Sequence, residues 1–111
     1  MKPLKDASNL YEVESRSYHL ERPGFRINEL KIGPDQQVPW HSHSHIRDTF
    51  YTLEGEIKIF LQEPKQSIVV LPGEVFTVEA GRPHLVTNNT DKSATFLVLQ
   101  GLGEYDYLPL I

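Results

Sequence analysis

Three of the five histidines fall within the five-residue segment 41–45, which reads HSHSH. On an extended strand His41 and His43 point to the same face, so both imidazoles can converge on one ion. Asp48, five residues past His43, can bring a carboxylate from the start of the next strand. His84, in a Gly-Arg-Pro-His segment, is the candidate for a ligand from a distant strand. Three neutral imidazoles and one carboxylate suit a divalent first-row metal, so these residues predict a metal site with open coordination positions.

A His-x-His pair alone is weak evidence, because surface strands carry such pairs without a metal. Two nearby residues leave alternatives open. Asp48 is either a direct ligand or a group that accepts a hydrogen bond from a ligand histidine. His45 lies an even number of residues from His41 and His43 (the same strand parity), so on an extended strand it shares their face. It is therefore either an additional ligand or a residue at the rim of the site. Imidazole ligands do not choose among Fe, Mn, Ni and Zn, so we expect a divalent transition metal of any of these kinds.

Short alternating segments, separated by eight Pro and seven Gly residues, must position these ligands. In one segment Ile57, Ile59 and Leu61 share a face, which is the period of a half-buried strand. No window has a convincing helical period. Regular turn residues around short strands are typical of an all-β sandwich or barrel, and this is the predicted fold class.

Parity along the strands also predicts which side chains surround the site. Phe50 and Thr52 share the parity of Asp48 and are expected to line the cavity beneath it. Arg26 and Asn28 point inward if both faces of their segment are buried; a register shift that leaves them outside is the alternative. With the polar Gln100 added, the candidate cavity residues are Arg26, Asn28, Phe50, Thr52 and Gln100.

The length, composition and charge of the chain exclude several classes of protein. A chain of 111 residues fits one domain, and 39% hydrophobic with 23% charged residues is ordinary for a globular protein. The net charge is −4 and the eleven Lys and Arg residues are scattered, which argues against a nucleic-acid partner. The absence of cysteine excludes disulfides and thiolate metal sites. We see neither a signal peptide nor an apolar run long enough for a bilayer, so we expect a cytoplasmic protein without a membrane partner.

The spacing of the candidate ligands resembles the first motif of the cupin superfamily, G-x5-H-x-H-x3–4-E-x6-G. His41 and His43 are followed by four residues, Asp48, six residues and Gly55. Two positions depart from the motif. Aspartate replaces the glutamate, and seven residues rather than five separate Gly33 from His41.

The second cupin motif, G-x5-P-x-G-x2-H-x3-N, is matched by Gly73, Gly81, His84 and Asn88 at the same spacing, with Glu79 in place of the proline. The resemblance implies one jelly-roll (double-stranded β-helix) domain over residues 1–111. Its barrel core covers roughly residues 25–100, flanked by extended arms. It also implies that the three histidines and Asp48 hold a divalent metal inside the barrel.

Two functions follow from the resemblance. The first is a metal-dependent enzyme that acts on a small molecule, for which an oxygenase-type reaction at Fe(II) is the working hypothesis. The alternative is a non-catalytic cupin module that binds a metal or a small molecule. The family commonly forms dimers, and the apolar segment 103–111 is expected to pack on its own barrel or on a partner subunit, so we predict a homodimer.

Overall fold

The computed structural model describes Leu4 and residues 7–110, and within them it contains strands and no helix. The all-β prediction is therefore confirmed. The strands are β1 (Ser15–Arg22), β2 (Phe25–Ile32), β3 (Gln37–Ser42), β4 (Arg47–Glu54), β5 (Ile57–Leu61), β6 (Gln66–Val70), β7 (Val75–Val78), β8 (His84–Thr87), β9 (Ala94–Gly101) and β10 (Leu108–Pro109).

The strands form two five-stranded antiparallel sheets. One has the order β1-β2-β9-β4-β7, and the other has the order β10-β3-β8-β5-β6. The chain crosses from one sheet to the other between β4 and β5 and crosses back between β8 and β9, as in a jelly roll. The candidate ligands are consequently distributed over both sheets.

One apolar core fills the space between the sheets, and strict alternation along the strands builds it. Ile57, Ile59 and Leu61 of β5 are at most 1% exposed, and Phe96 of β9 is fully buried in the facing sheet. Burial of such side chains is the main stabilising contribution in a domain of this size. The core includes Leu30, Ile32, Val38, Phe50, Val70, Val78, Val86, Ala94 and Val98 as well.

The β4–β5 turn depends on Gly55, which has a φ of +74°. A Cβ at this position would lie 2.7 Å from the carbonyl oxygen of Ser93 and 3.0 Å from Cα of Ala94. Both the left-handed conformation and the close approach of the neighbouring backbone therefore require glycine.

The segment 25–32 forms β2, which pairs with β9 without a register shift. Asn28 and Leu30 are buried, and Arg26 lies on the same face. The inward-facing interpretation of this segment is thus correct. The bulge lies instead in β1, between Tyr18 and Leu20.

Both arms are joined to the sheets. β1 lies outside the range 25–100 and extends the first sheet, because it pairs with β2 over most of its length. At the other end β10 pairs with β3, and Tyr107 forms an isolated bridge with Leu4. The C-terminal segment as far as Leu110 therefore packs on its own barrel. Nowhere in the described residues is there a helix long and apolar enough to cross a membrane.

Candidate metal centre

Strand register brings the four predicted ligands together. His41 near the end of β3 and His84 at the start of β8 are direct cross-strand partners. His43 follows β3 immediately, and Asp48 approaches from β4 in the opposite sheet. All four side chains are buried, and one ligand atom from each lies within 4.8 Å of the others. The cluster can therefore hold a metal ion.

Backbone carbonyls determine which ring nitrogen of each histidine faces the centre. Nδ1 of His41 donates to the carbonyl of Pro39 at 2.8 Å, and Nδ1 of His84 donates to the carbonyl of Arg82 at 2.9 Å. Nδ1 of His43 donates to the carbonyl of Asp106. A carbonyl can only accept, so each Nδ1 carries the hydrogen, and Nε2 of the neutral ring offers a lone pair.

The three Nε2 atoms converge on Asp48. Its Oδ2 lies 3.0 Å from Nε2 of both His43 and His84, and 3.9 Å from Nε2 of His41. A carboxylate oxygen and the Nε2 of a neutral imidazole are both acceptors, so either a proton on the ring or a metal cation can lie between them. The donor set fits a divalent first-row metal, which prefers imidazole and carboxylate ligands.

Burial and mutual charge shift the ionisation of the cluster. Burial, helped by His84 and His43, lowers the pKa of His41 to about 3, so its ring is neutral at pH 7. Burial opposes the charged form of His43, yet the Asp48 carboxylate outweighs it and raises the pKa of His43. Burial also opposes ionisation of Asp48, but His43 and His84 hold its pKa well below the usual value. Asp48 is thus an ionised carboxylate in a buried site.

Two amides orient Asp48 from the side away from the histidines. Gln100 is the cross-strand partner of Asp48, and its Nε2 donates to Asp48 Oδ1 at 2.9 Å. Asn28 Nδ2 donates in turn to Gln100 Oε1 at 3.2 Å. One carboxylate oxygen therefore accepts a hydrogen bond from the amide relay formed by Asn28 and Gln100, while the other oxygen faces the histidines. Hydrogen bonds of this kind orient metal ligands in proteins.

The C-terminal arm covers the histidines. The ring of Tyr107 stacks on His41, with centroids 4.5 Å apart and planes 14° from parallel. Tyr105 lies beside His43 at 5.4 Å between centroids. Asp106 Oδ1 accepts a hydrogen bond from the backbone N–H of Ser44 at 2.7 Å. The arm thus excludes water from one side of the cluster.

A cavity of about 40 Å³ lies next to the cluster and is bordered by His41, His43 and Asp48. Four of the five cavity residues expected from strand parity border it: Arg26, Asn28, Phe50 and Gln100. The space is enough for a few water molecules or for a ligand of a few heavy atoms.

Thr52 is a correction to the predicted cavity. It lies four residues past Asp48 on β4, about 13 Å along the strand. There it is fully buried in the core, and its hydroxyl donates to the carbonyl of Val70 at 3.0 Å. Shared parity gives the same face of the sheet, but not the same depth in the barrel.

The additional-ligand alternative for His45 is the second correction. β3 ends at Ser42, so the alternation that would align His45 with His41 and His43 does not continue. The side chain is exposed and lies outside the cluster of potential ligands. His45 is therefore not part of the ligand set that the structure assembles.

The sequence interpretation missed the aromatic and cationic side chains that the two arms contribute. Tyr11, Arg16, Tyr105 and Tyr107 all border the cavity. Arg16-x-Tyr18 and Tyr105-x-Tyr107 have the same alternation that identified the His pair. That pattern could have suggested inward-facing strands in both arms.

Solved structures share the fold at low sequence identity. An uncharacterized conserved protein with a double-stranded β-helix domain from Klebsiella pneumoniae aligns with a TM-score of 0.75 and 21% identity, over 86% of this chain and 78% of that chain. An oxalate oxidase aligns with a TM-score of 0.71 and 19% identity, over 78% of this chain and 46% of the oxidase. Lactobacillus farciminis oxalate decarboxylase, in a formate complex, aligns with a TM-score of 0.71 and 18% identity, over 79% and 27%. The chain spans less than half of either oxalate enzyme, and the likeness is one of fold.

No curated protein sequence matches the chain. The cupin domain family model matches residues 28–100, a range that contains His41, His43, Asp48 and His84. This match covers well over half of the chain and agrees with the jelly-roll topology. The chain belongs to the cupin family.

Proposed function

We propose that His41, His43, Asp48 and His84 bind a divalent first-row transition metal, and that the metal acts on a small molecule in the adjoining cavity. One observation carries the proposal: the Nε2 atoms of three buried histidines, whose Nδ1 atoms all donate to backbone carbonyls, converge on one ionised carboxylate.

The reaction that we propose is an oxygen-dependent conversion at Fe(II). When bound, such a metal activates O₂ or polarises a coordinated substrate. The ligand set leaves open positions on an octahedral ion. An oxidase is also among the proteins that share the fold.

The protein's own residues position and isolate the substrate. Gln100 orients Asp48, and the ring of Tyr107 covers His41. Phe50 forms an apolar wall of the cavity and is only 2% exposed. A buried centre of this kind restricts the reactants to small molecules that enter the cavity and keeps bulk water out.

Metal analysis of the purified protein tests the proposal. We expect a near-stoichiometric first-row metal in the wild type and its loss in the His41→Ala/His43→Ala double variant. His19→Ala is the matched control, because His19 is an exposed histidine paired with Glu29 and lies outside the cluster. Equal metal content in all three proteins would overturn the assignment of the site.

Oxygen uptake then separates the enzyme from the alternative, a non-catalytic cupin that binds a metal or small molecule. The iron-loaded enzyme should consume O₂ in the presence of a substrate, with a rate that depends on the histidines. Stoichiometric metal without turnover of any small molecule would favour the binding module.

We propose that the protein is cytoplasmic and forms a homodimer. Apolar side chains exposed on β4 and β7, among them Tyr51 and Val75, support self-association. Fractionation of cells tests the location.

A further inference from the structure

The cavity next to the cluster carries an excess of positive charge. We infer that it binds a small carboxylate anion, held by Arg16 and Arg26; this inference rests on the proposed function, because the bound molecule is the one presented to the metal. Among the described residues that border the cavity, Asp48 is the only carboxylate, and the two guanidinium groups outnumber it. A divalent metal would increase the imbalance, which one anionic ligand reduces.

Arg26 is positioned to bind the anion. It is the cross-strand partner of Gln100 on β9, which places it in one row with Asp48 on β4. Its guanidinium carbon lies 3.8 Å from the ring centre of Tyr105, and its side chain is only 13% exposed. Its Nε forms an ion pair at 3.6 Å with the exposed Glu21, a separation too long for a hydrogen bond, so Nε can still donate to a ligand.

Unpaired polar atoms gather at this cavity. Four side-chain atoms in the described part of the chain are buried without a hydrogen-bond partner: Arg16 Nη2, Arg26 Nε, Asn28 Oδ1 and Tyr107 OH. All four residues border the same cavity. Asn28 and Tyr107 are themselves 9% and 2% exposed. Buried polar groups are normally paired, so this concentration indicates a place where a ligand supplies the partners.

The amide relay defines what Asn28 offers to a ligand. The Asp48 carboxylate can only accept, so Gln100 must turn its NH₂ group toward Asp48 and its oxygen toward Asn28. Asn28 then donates to Gln100 and leaves Oδ1 free to accept a hydrogen bond. A small carboxylate that also carries a hydroxyl can satisfy the arginines with its oxygens and Asn28 with its hydroxyl hydrogen.

Glycolate is the probe that matches these groups and the small cavity, and glycolamide is its neutral isostere with the same hydroxyl. Calorimetric titration of the metal-loaded protein with each compound measures the contribution of the negative charge. The same titrations on Arg16→Gln and Arg26→Gln measure the contribution of each guanidinium. Arg47→Gln is the control, because Arg47 is exposed and its side chain is paired with Glu79 outside the cavity.

We expect glycolate to bind the wild type at least tenfold more tightly than glycolamide. Each of the two cavity variants should lose at least tenfold in glycolate affinity, as expected for charge-assisted bidentate contacts, while metal content stays unchanged and Arg47→Gln matches the wild type. Arg26→Lys keeps the charge but not the planar geometry and should give an intermediate affinity. This variant also provides a test if Arg26→Gln fails to fold.

The outcomes separate this inference from the proposed function. Stoichiometric metal with unchanged glycolate affinity in both arginine variants would overturn the inference and leave the metal site standing. Equal affinity for glycolate and glycolamide would overturn it as well. Arginine-dependent glycolate binding by a protein that neither contains nor takes up metal would support the anion site and overturn the proposed metal function.

Discussion

At the scale of single residues, Asp48 joins two networks through its two oxygens. Oδ2 faces Nε2 of His43 and His84 at 3.0 Å, and Oδ1 accepts from Gln100 at 2.9 Å. Aspartate stands where the family motif has glutamate, and its shorter side chain nevertheless reaches the histidines. The direct-ligand interpretation of Asp48 is therefore the one on which we base our first prediction.

We predict that Asp48→Ala lowers the metal affinity by at least 100-fold, more than the loss of a residue that only supports a ligand. Asp48→Glu should retain metal with an affinity between those of Asp48→Ala and the wild type. Its carboxylate is restored, but its extra methylene must be accommodated among the buried histidines. Metal content after dialysis against a metal buffer measures both effects. Equal occupancy in all three proteins would place Asp48 outside the ligand set.

A second prediction concerns Tyr107, whose buried hydroxyl has no hydrogen-bond partner among the described residues. Tyr107→Phe should leave the free energy of unfolding unchanged or raise it by about 1 kcal/mol, because an unsatisfied buried hydroxyl is costly. The same substitution should weaken glycolate binding several-fold. Thermal unfolding and calorimetry measure the two effects, with Tyr51→Phe on the exposed surface as the control. A large loss of stability would mean that the hydroxyl serves the fold instead.

At the scale of elements, most of the information about the strands came from the alternation of apolar residues and from the turn residues. The β4–β5 hairpin illustrates this, because Ile57, Ile59 and Leu61 are buried as their period of two predicts, and Gly55 occupies the turn. The arms were less predictable. β1 forms a hairpin with β2, but a register shift between Tyr18 and Leu20 interrupts its alternation. β10 pairs with the distant β3 and has only two residues, so local patterns hardly distinguish it from a tail.

Two glycines of similar φ allow a matched prediction. Gly73→Ala places a Cβ in open space at a φ of +85° and should cost about 1 kcal/mol of stability from backbone strain. Gly55→Ala has a similar φ of +74° but also contacts the Ser93 carbonyl, so we expect it to cost about 2 kcal/mol more. Denaturant unfolding of both variants measures the difference. Equal losses would show that the neighbouring strand yields to the added carbon.

At the scale of the whole molecule, exposed apolar side chains concentrate near one edge of the two sheets. Tyr51 of β4 and Val75 of β7 are cross-strand partners and are 38% and 53% exposed. Val69 and Leu71, from β6 and the connection to β7, are exposed as well. β6 and β7 are the edge strands of their sheets, and an apolar edge favours association with a second copy.

We therefore predict that the wild type sediments as a dimer and that Val75→Lys shifts it toward the monomer without loss of metal. A lysine on the edge strand introduces a charge that resists burial between subunits. Leu10→Lys, at another exposed apolar residue, is the control and should remain a dimer. Sedimentation velocity gives the molecular weights. A monomeric wild type would contradict the prediction.

The sequence by itself determined the fold class and the four residues of the cluster. Strand alternation and turn glycines depend on local backbone geometry, and the spacing of His41, His43, Asp48 and His84 matches a family motif. These properties can be recognised in the sequence without knowing the strand register, because they are local or are fixed by the family's topology.

Only the tertiary structure decided which other side chains reach the site. Thr52 shares a face with Asp48 but lies deeper in the barrel, and His45 lies beyond the end of β3, where strand parity no longer applies. Arg16 and Tyr107 border the cavity because β1 joins the first sheet through the β1–β2 hairpin and the pairing of β2 with β9, and because the C-terminal arm pairs with β3, which is distant in sequence. Depth along a strand and the docking of an arm depend on long-range register and packing, which local alternation does not encode.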